Sequence, residues 1–247
     1  MCRECAADRP SRCHVHPQAN AGCVRLHDGS TPIRLASHPE TSVRSQCFGQ
    51  SSFARVSVVA ARSVVVVPEE LLDAGKGDSV LALYAPLGCG FQTGAGTVLN
   101  VLKPRHDDNV VVFGMGSVGL AVLMAAKYLQ VHQIVAVDVV DEKLGAAKEL
   151  GATETLNSKG MADVAAEVRR ITGGGVDYAI DCTGMVPVIE SLVECLQPGG
   201  TAVSVGIPPP EKKVQINALS FLMDNKRFMG VIEGGSVPQK VKKPNGS

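Results

Sequence analysis

The sequence has no excess of either charge and no long apolar run. Lysine and arginine together number 24, as do aspartate and glutamate, so the formal net charge is zero at pH 7. A neutral chain has no electrostatic field to attract nucleic acid or an anionic membrane, so neither is an expected partner. No apolar stretch approaches the roughly 18 residues of a membrane span, and the residues after Met1 do not form a signal peptide. These absences predict a globular protein of the cytosol.

Eight cysteines are present, and in the cytosol they are more often metal ligands or buried apolar residues than disulfides. Three of them form the pattern Cys2-x2-Cys5-x7-Cys13, which suits zinc because a short turn can aim two thiolates at one ion. Three thiolates are one short of a closed structural site, so a cysteine-rich terminus without metal is an equal alternative. His14 and His16 are weak candidates for a fourth ligand, since His14 directly follows Cys13.

One stretch carries a complete strand–loop–helix–strand pattern. Residues 110–113 are apolar and mostly β-branched, which predicts a buried strand. The glycine loop 114–119 has the spacing G-x-G-x-x-G, and residues 120–129 favour a helix. A second apolar strand, 134–137, ends at Asp138. This order of elements predicts a dinucleotide-binding βαβ unit far more strongly than the glycines alone would.

Each part of this unit has a physical role. Gly114 permits a tight turn, Gly116 lets the backbone approach a pyrophosphate, and Gly119 lets the helix pack closely on the strand. The positive end of the helix then faces the phosphates. Asp138 would accept hydrogen bonds from the adenosine ribose and would repel a 2′-phosphate, which predicts NAD rather than NADP.

The rest of the chain after Asp138 continues the alternation of strands and helices. This rhythm predicts a parallel, doubly wound sheet whose ligand lies at the carboxyl ends of the strands. Helices are expected at 141–150, 162–171 and 186–196, and strands at 153–156, 176–180, 201–205 and 227–232. Before the glycine loop, a helix is expected to end near Pro104, and residues 48–59 and 62–67 predict two strands of a β-rich unit.

Seven motifs, in order, are similar to those of the zinc-dependent medium-chain alcohol dehydrogenases, and within them to the aryl- and benzyl-alcohol branch. They are FGQSSFA (48–54), PLGCGFQTGAG (86–96), VFGMGSVGL (112–120), AVDVVDEKL (136–144), KELGATE (148–154), LQPGG (196–200) and IEGGSVP (232–238). The resemblance implies a Rossmann domain preceded by the remnant of a β-rich GroES-like catalytic domain. The implied boundaries are 1–80 for the partial catalytic domain with its structural-zinc lobe, 81–236 for the NAD-binding domain, and 237–247 for a polar tail.

The resemblance also implies roles for individual residues. Cys89 matches the cysteine ligand of the catalytic zinc, and Thr93 matches a catalytic-site threonine that contacts the nicotinamide side of the cofactor. The implied pyrophosphate loop consists of Gly114, Gly116, Ser117, Val118 and Gly119; the adenosine-ribose pair is Asp138 and Lys143; the backbone near the nicotinamide is that of Val205 and Ile207; and the structural-zinc ligands are Cys2, Cys5 and Cys13.

Several family features are missing from this sequence. The fourth structural cysteine would lie two residues before Met1, and the upstream catalytic cysteine, histidine–glutamate pair and proton relay are absent. No histidine has a spacing to Cys89 that favours zinc ligation, and after Ser236-Val237-Pro238 the chain ends early, so we expect a chain truncated at both ends. The resemblance implies zinc-dependent hydride transfer between an alcohol, possibly aromatic, and NAD. The partners it implies are a small alcohol or aldehyde and, through strand 227–232, a second copy in a homodimer or homotetramer. The alternatives are an inactive NAD-binding module and a product that folds poorly.

Overall fold

The computed structural model describes residues 2–15, 22–25, 27–31, 33–44, 55–59, 61–69, 82 and 84–237. The chain divides into two compact units, one of residues Met1–Val80 with Ser236–Ser247 and one of residues Leu81–Gly235. No helix in the described part of the chain is long and apolar enough to cross a membrane.

The first unit has little regular structure in its described residues. A short helix α1 (Arg3–Ala6) and a 3-10 turn (Pro10–Arg12) lie between Cys2 and Cys13 of the cysteine motif. Strands β1 (Ile33–Arg34) and β2 (Ser42–Val43) form an antiparallel pair. The predicted strand at 62–67 is wrong: Ala61–Ser63 is a 3-10 turn. Val64, Val65 and Val66 after it are exposed, Val66 by 84%, and Val67 is half-buried. A strand needs a hydrogen-bonded neighbour, and this apolar run has none among the described residues. Of the other predicted strand, residues 48–54 lie outside the described part of the chain, and the described residues 55–59 form no strand, with Val58 93% exposed.

The second unit is built on a six-stranded sheet in the order β5-β4-β3-β6-β7-β8, with all strands parallel. This confirms the predicted Rossmann sheet, and its order reverses between β3 and β6. The strands are β3 (Asn109–Phe113), β4 (Gln133–Asp138), β5 (Glu154–Asn157), β6 (Val176–Asp181), β7 (Leu196–Ser204) and β8 (Arg227–Gly230).

Helices cover both faces of this sheet. They are α2 (Gly90–Gly96), continued by a π-helical turn (Thr97–Leu102), α3 (Ser117–Tyr128), α4 (Asp141–Leu150), α5 (Val164–Thr172), α6 (Val186–Cys195) and α7 (Ala218–Met223). Alternate residues of β3 pack into different hydrophobic clusters, because successive side chains of a strand point to opposite faces of the sheet. Val112 packs with α3 and α4 residues, whereas Val111 packs with α5 and α6 residues.

Most of the predicted boundaries fall within a few residues of the observed ones, and the exception is β7. This strand begins at Leu196 rather than Thr201, because Leu196 already pairs with Val176 across a register shift. Glycine suits position 200 of this strand, because a Cβ atom there would lie only 2.9 Å from the carbonyl oxygen of Val176. The helix before the glycine loop ends at Leu102, close to the expected position, and Lys103 follows in a left-handed conformation.

Candidate active site

The glycine loop is fixed between the first two strands of the Rossmann unit. Gly114, at a φ of 92°, donates its N–H to the carbonyl oxygen of Val137 at 2.8 Å, which fastens the end of β3 to the end of β4. Helix α3 begins directly after Gly116, and no side chain caps it. The first N–H groups of a helix have no partners inside it. The sequence therefore leaves a positively polarised, uncapped helix end at the carboxyl edge of the sheet.

Glycine occupies two positions of the loop for different structural reasons. A Cβ at Gly119 would lie 1.9 Å from the carbonyl oxygen of Gly114, so the close contact of helix and strand requires glycine there. Gly116 has an ordinary φ of −85°, and a Cβ at this position would meet nothing within 4 Å. Neither a left-handed backbone nor close packing requires glycine at position 116, although glycine is more favourable than alanine or valine as the N-cap residue of a helix. The open space at this position would admit a phosphate group, which needs close approach to the backbone.

Asp138 is the last residue of β4 and lies beside this loop, where its carboxylate accepts hydrogen bonds from three backbone N–H groups. One carboxylate oxygen accepts from Met115 at 2.6 Å, and the other accepts from Val139 at 2.7 Å and Val140 at 3.1 Å. A carboxylate offers about four acceptor sites, so capacity remains for a ribose hydroxyl. Lys143 lies exposed in the first part of α4, on the segment that follows Asp138. The structure thus places the two predicted ribose-binding residues at the end of β4 and in the helix that follows it.

A second acidic residue, Asp181, organises the other half of the sheet edge. Its side chain is completely buried and accepts hydrogen bonds from the backbone and hydroxyl of Thr183, at 2.7 and 2.6 Å, and from the backbone of Gly184. Its carbonyl oxygen accepts from Val205 at 3.0 Å and Gly206 at 3.1 Å. Asp181 therefore ties the end of β6 to the end of β7, where Val205 lies. The sequence contains a signal for this role, because Asp181 ends an apolar strand and is followed by Cys182-Thr183-Gly184.

The predicted zinc ligand Cys89 lies next to the glycine loop. It precedes α2, and its carbonyl oxygen accepts from the backbone N–H of Thr93 at 2.8 Å. A Cβ at Gly90 would lie 2.7 Å from the hydroxyl oxygen of Ser117, so α2 begins close beside the start of α3. The Cys89 side chain is exposed at this edge. Partial burial and the negative charge of Glu233 raise the pKa of its thiol.

Glu233 is a residue that sequence analysis did not select, although its motif IEGG was recognised. One carboxylate oxygen accepts hydrogen bonds from the side-chain amide of Gln92 at 3.3 Å and the hydroxyl of Thr93 at 3.5 Å. Burial raises the pKa of Glu233, and the two hydrogen bonds partly oppose that shift. Its φ of 52° is a left-handed conformation that costs a non-glycine residue about 1–2 kcal/mol. This cost is met by packing, because the following residue, Gly234, lies against the backbone of α2.

The three cysteines of the first unit form a separate group. Their sulfur atoms all lie within 4.8 Å of one another, and those of Cys2 and Cys13 are 3.9 Å apart. Tetrahedral zinc with ~2.3 Å bonds requires sulfur separations of about 3.8 Å, so the arrangement fits the metal. Hydrogen bonds from the backbone of Cys5 and His14 lower the pKa of Cys2 to about 6, and the neighbouring thiols raise that of Cys5 to about 11.

No further cluster of three metal-ligating side chains occurs in the described part of the chain. His14 does not join the cysteine group, and His16 lies outside the described residues. Cys89 is in no such cluster, so the described residues do not bring together around it the about three protein ligands that a catalytic zinc needs.

Comparison with known proteins decides the family. A profile described as zinc-binding dehydrogenase matches residues 117–243. A probable alcohol dehydrogenase from a Pseudomonas species is 35% identical over 95% of this chain and 71% of its own length. The chain belongs to the zinc-binding dehydrogenase family. Geraniol dehydrogenase from Castellaniella defragrans is 34% identical over 97% of the chain, which spans only 61% of that relative.

Solved structures of zinc-binding dehydrogenases agree with this assignment. An alcohol dehydrogenase zinc-binding domain protein from Burkholderia ambifaria superposes with a TM-score of 0.83 at 37% identity, and it covers 97% of this chain. Benzyl alcohol dehydrogenase from Acinetobacter calcoaceticus gives a TM-score of 0.77 at 33% identity over 98% of the chain. The chain spans 62% of each of these structures. The resemblance to zinc-dependent alcohol dehydrogenases is confirmed.

Proposed function

We propose that this chain binds NAD along the carboxyl edge of its parallel sheet. The pyrophosphate would face the uncapped start of α3, with the adenosine ribose beside Asp138 and Lys143. The nicotinamide half would extend over the ends of β6 and β7, near Val205 and Ile207, and towards Thr93. The observation that carries the proposal is Gly116 at the uncapped start of α3, where neither a left-handed backbone nor close packing requires glycine. Asp138 would disfavour NADP, because its negative charge would repel a 2′-phosphate.

We propose further that the protein oxidises small alcohols, or reduces the corresponding aldehydes, by hydride transfer with NAD. The relatives of this chain include proteins named alcohol, geraniol and benzyl alcohol dehydrogenase, and these names support the activity. A bound zinc would supply Lewis-acid activation of the alcohol oxygen. The residues of this chain would hold the coenzyme in position, and Cys89 would contribute one zinc ligand. A structural zinc would be held by Cys2, Cys5 and Cys13. We place the protein in the cytosol as a homo-oligomer.

A second candidate function is NAD binding without dehydrogenase activity. It is favoured by the exposed Cys89, which belongs to no metal-ligating cluster among the described residues. Production of NADH from a panel of aliphatic and aromatic alcohols, with the zinc content measured on the same sample, separates the two functions. Alcohol-dependent NADH supports the dehydrogenase, whereas coenzyme binding with no turnover supports the binding module.

The variant Gly116→Val tests coenzyme binding directly. A Cβ at position 116 meets open space and the φ of −85° suits most residues, but valine is a poorer helix N-cap than glycine, so we expect a loss of stability of no more than about 1 kcal/mol. The branched side chain should nevertheless block the phosphate site and abolish the rise in melting temperature that we expect NADH to cause in the wild type.

Gly145→Val is the matched control for this experiment. Gly145 lies exposed on α4, and a Cβ there also meets nothing within 4 Å. This variant should bind NADH as the wild type does, as measured by fluorescence titration and by calorimetry. The proposal fails if Gly116→Val binds NADH normally, or if the wild type does not bind it.

A further inference from the structure

The carboxylate of Glu233 lies where it would interact electrostatically with only one half of a bound dinucleotide. Glu233 follows β8, which belongs to the half of the sheet that also contains β6 and β7. A dinucleotide bound to a Rossmann sheet crosses the point where the strand order reverses. Its adenosine half lies on the side of β4 and Asp138, so its nicotinamide half lies on the side of Glu233.

The charge of Glu233 is fixed in position and is not neutralised by a cation. Gln92 and Thr93, both neutral, donate to its carboxylate, and no lysine, arginine or histidine of the described residues forms an ion pair with it. The turn that carries it cannot shift easily. A Cβ on Gly234 would lie 2.6 Å from the carbonyl oxygen of Gln92, and Asn100 donates its side-chain amide to the carbonyl oxygen of Gly234 at 3.1 Å.

The two redox forms of NAD differ at this end of the molecule alone. The oxidised nicotinamide ring carries a positive charge, and the reduced ring is neutral, whereas the phosphates and the adenosine are the same in both forms. A fixed negative charge in a half-buried site attracts a cation and has little effect on a neutral ring.

We propose that Glu233 is a specificity-determining residue that favours binding of oxidised NAD⁺ over NADH. This inference rests on the proposed coenzyme binding. It assigns Glu233 no contact with the reacting atoms; the carboxylate acts through its charge on the oxidised ring.

The test is the substitution Glu233→Gln, with Kd measured by calorimetry for NAD⁺, NADH and ADP-ribose. The amide oxygen of glutamine can still accept from Gln92 and Thr93, so the substitution removes the charge and keeps the hydrogen bonds. Charges separated by several ångströms at a partly exposed site predict roughly a five- to tenfold weaker binding of NAD⁺. Binding of NADH should change less than about twofold, and binding of ADP-ribose, which has no nicotinamide, should not change.

Glu154→Gln is the control, because it removes the same charge from an exposed residue at the start of β5. It should leave all three dissociation constants unchanged. The inference is overturned if Glu233→Gln leaves the ratio of the NAD⁺ and NADH constants at the wild-type value, or weakens all three ligands equally. If the wild type binds none of the three ligands, the proposed function itself fails.

Discussion

Replacing Asp138 by asparagine should loosen the glycine loop, and the expected loss follows from its hydrogen bonds. One carboxylate oxygen accepts from Met115 and the other from Val139 and Val140. An asparagine has one oxygen and one NH2 group, so whichever way the amide turns, a donor faces a backbone N–H. At least one charge-assisted hydrogen bond is lost, which is worth about 1.5–3 kcal/mol. For a chain of this size, a loss of ~2 kcal/mol lowers the melting temperature by about 4–8 °C.

Thermal unfolding followed by circular dichroism measures this change, and Asp141→Asn provides the comparison. Asp141 also lies after β4, but it is exposed and accepts from the side chain of Asn157 rather than from the loop. Its replacement should cost less than about 0.5 kcal/mol. If Asp138→Asn and Asp141→Asn melt at the same temperature, Asp138 does not fasten the glycine loop and the reasoning is refuted.

Three other predictions follow from the same geometry. NADH should bind at least about tenfold more tightly than NADPH in a fluorescence titration, because Asp138 disfavours a 2′-phosphate, and equal affinities would contradict this. Gly94→Ala should destabilise the protein by about 3 kcal/mol in urea unfolding, since its Cβ would lie 2.1 Å from the carbonyl oxygen of Val118; an unchanged midpoint would show that α2 can move away. Cys5→Ser should reduce the bound zinc measured by elemental analysis, whereas Cys23→Ser should not, and equal zinc in both variants would exclude the cysteine site.

The Rossmann unit could be predicted because its determinants are local. The end of α4 at Leu150 was marked by Gly151, which has a φ of 138°, a conformation that favours glycine. The buried strands were apolar on both faces, which distinguishes a parallel sheet from an exposed one. The same rule failed at residues 62–67, because an apolar β-branched run predicts a strand only where another strand pairs with it.

The role of Glu233 could not be predicted, because it depends on contacts between distant parts of the chain. Thr93 and Glu233 are 140 residues apart, and no local pattern joins them. The motif IEGG was recognised as a resemblance, yet the carboxylate could have pointed to solvent. The left-handed backbone at Glu233 is equally invisible in the sequence, since glycine rather than glutamate marks such positions.

The central position of β3 has a consequence for the synthesis of the protein. Residues of β3 and of its neighbour β6 are 68 positions apart, as in the contact of Asn109 with Asp177. A ribosome adding about 5–20 residues per second takes roughly 3–14 s to cover that distance. During this time one edge of the apolar strand Asn109–Phe113 has no partner, which is the condition under which strands pair with other chains. We therefore expect the nascent chain to depend on protection by chaperones until β6 emerges.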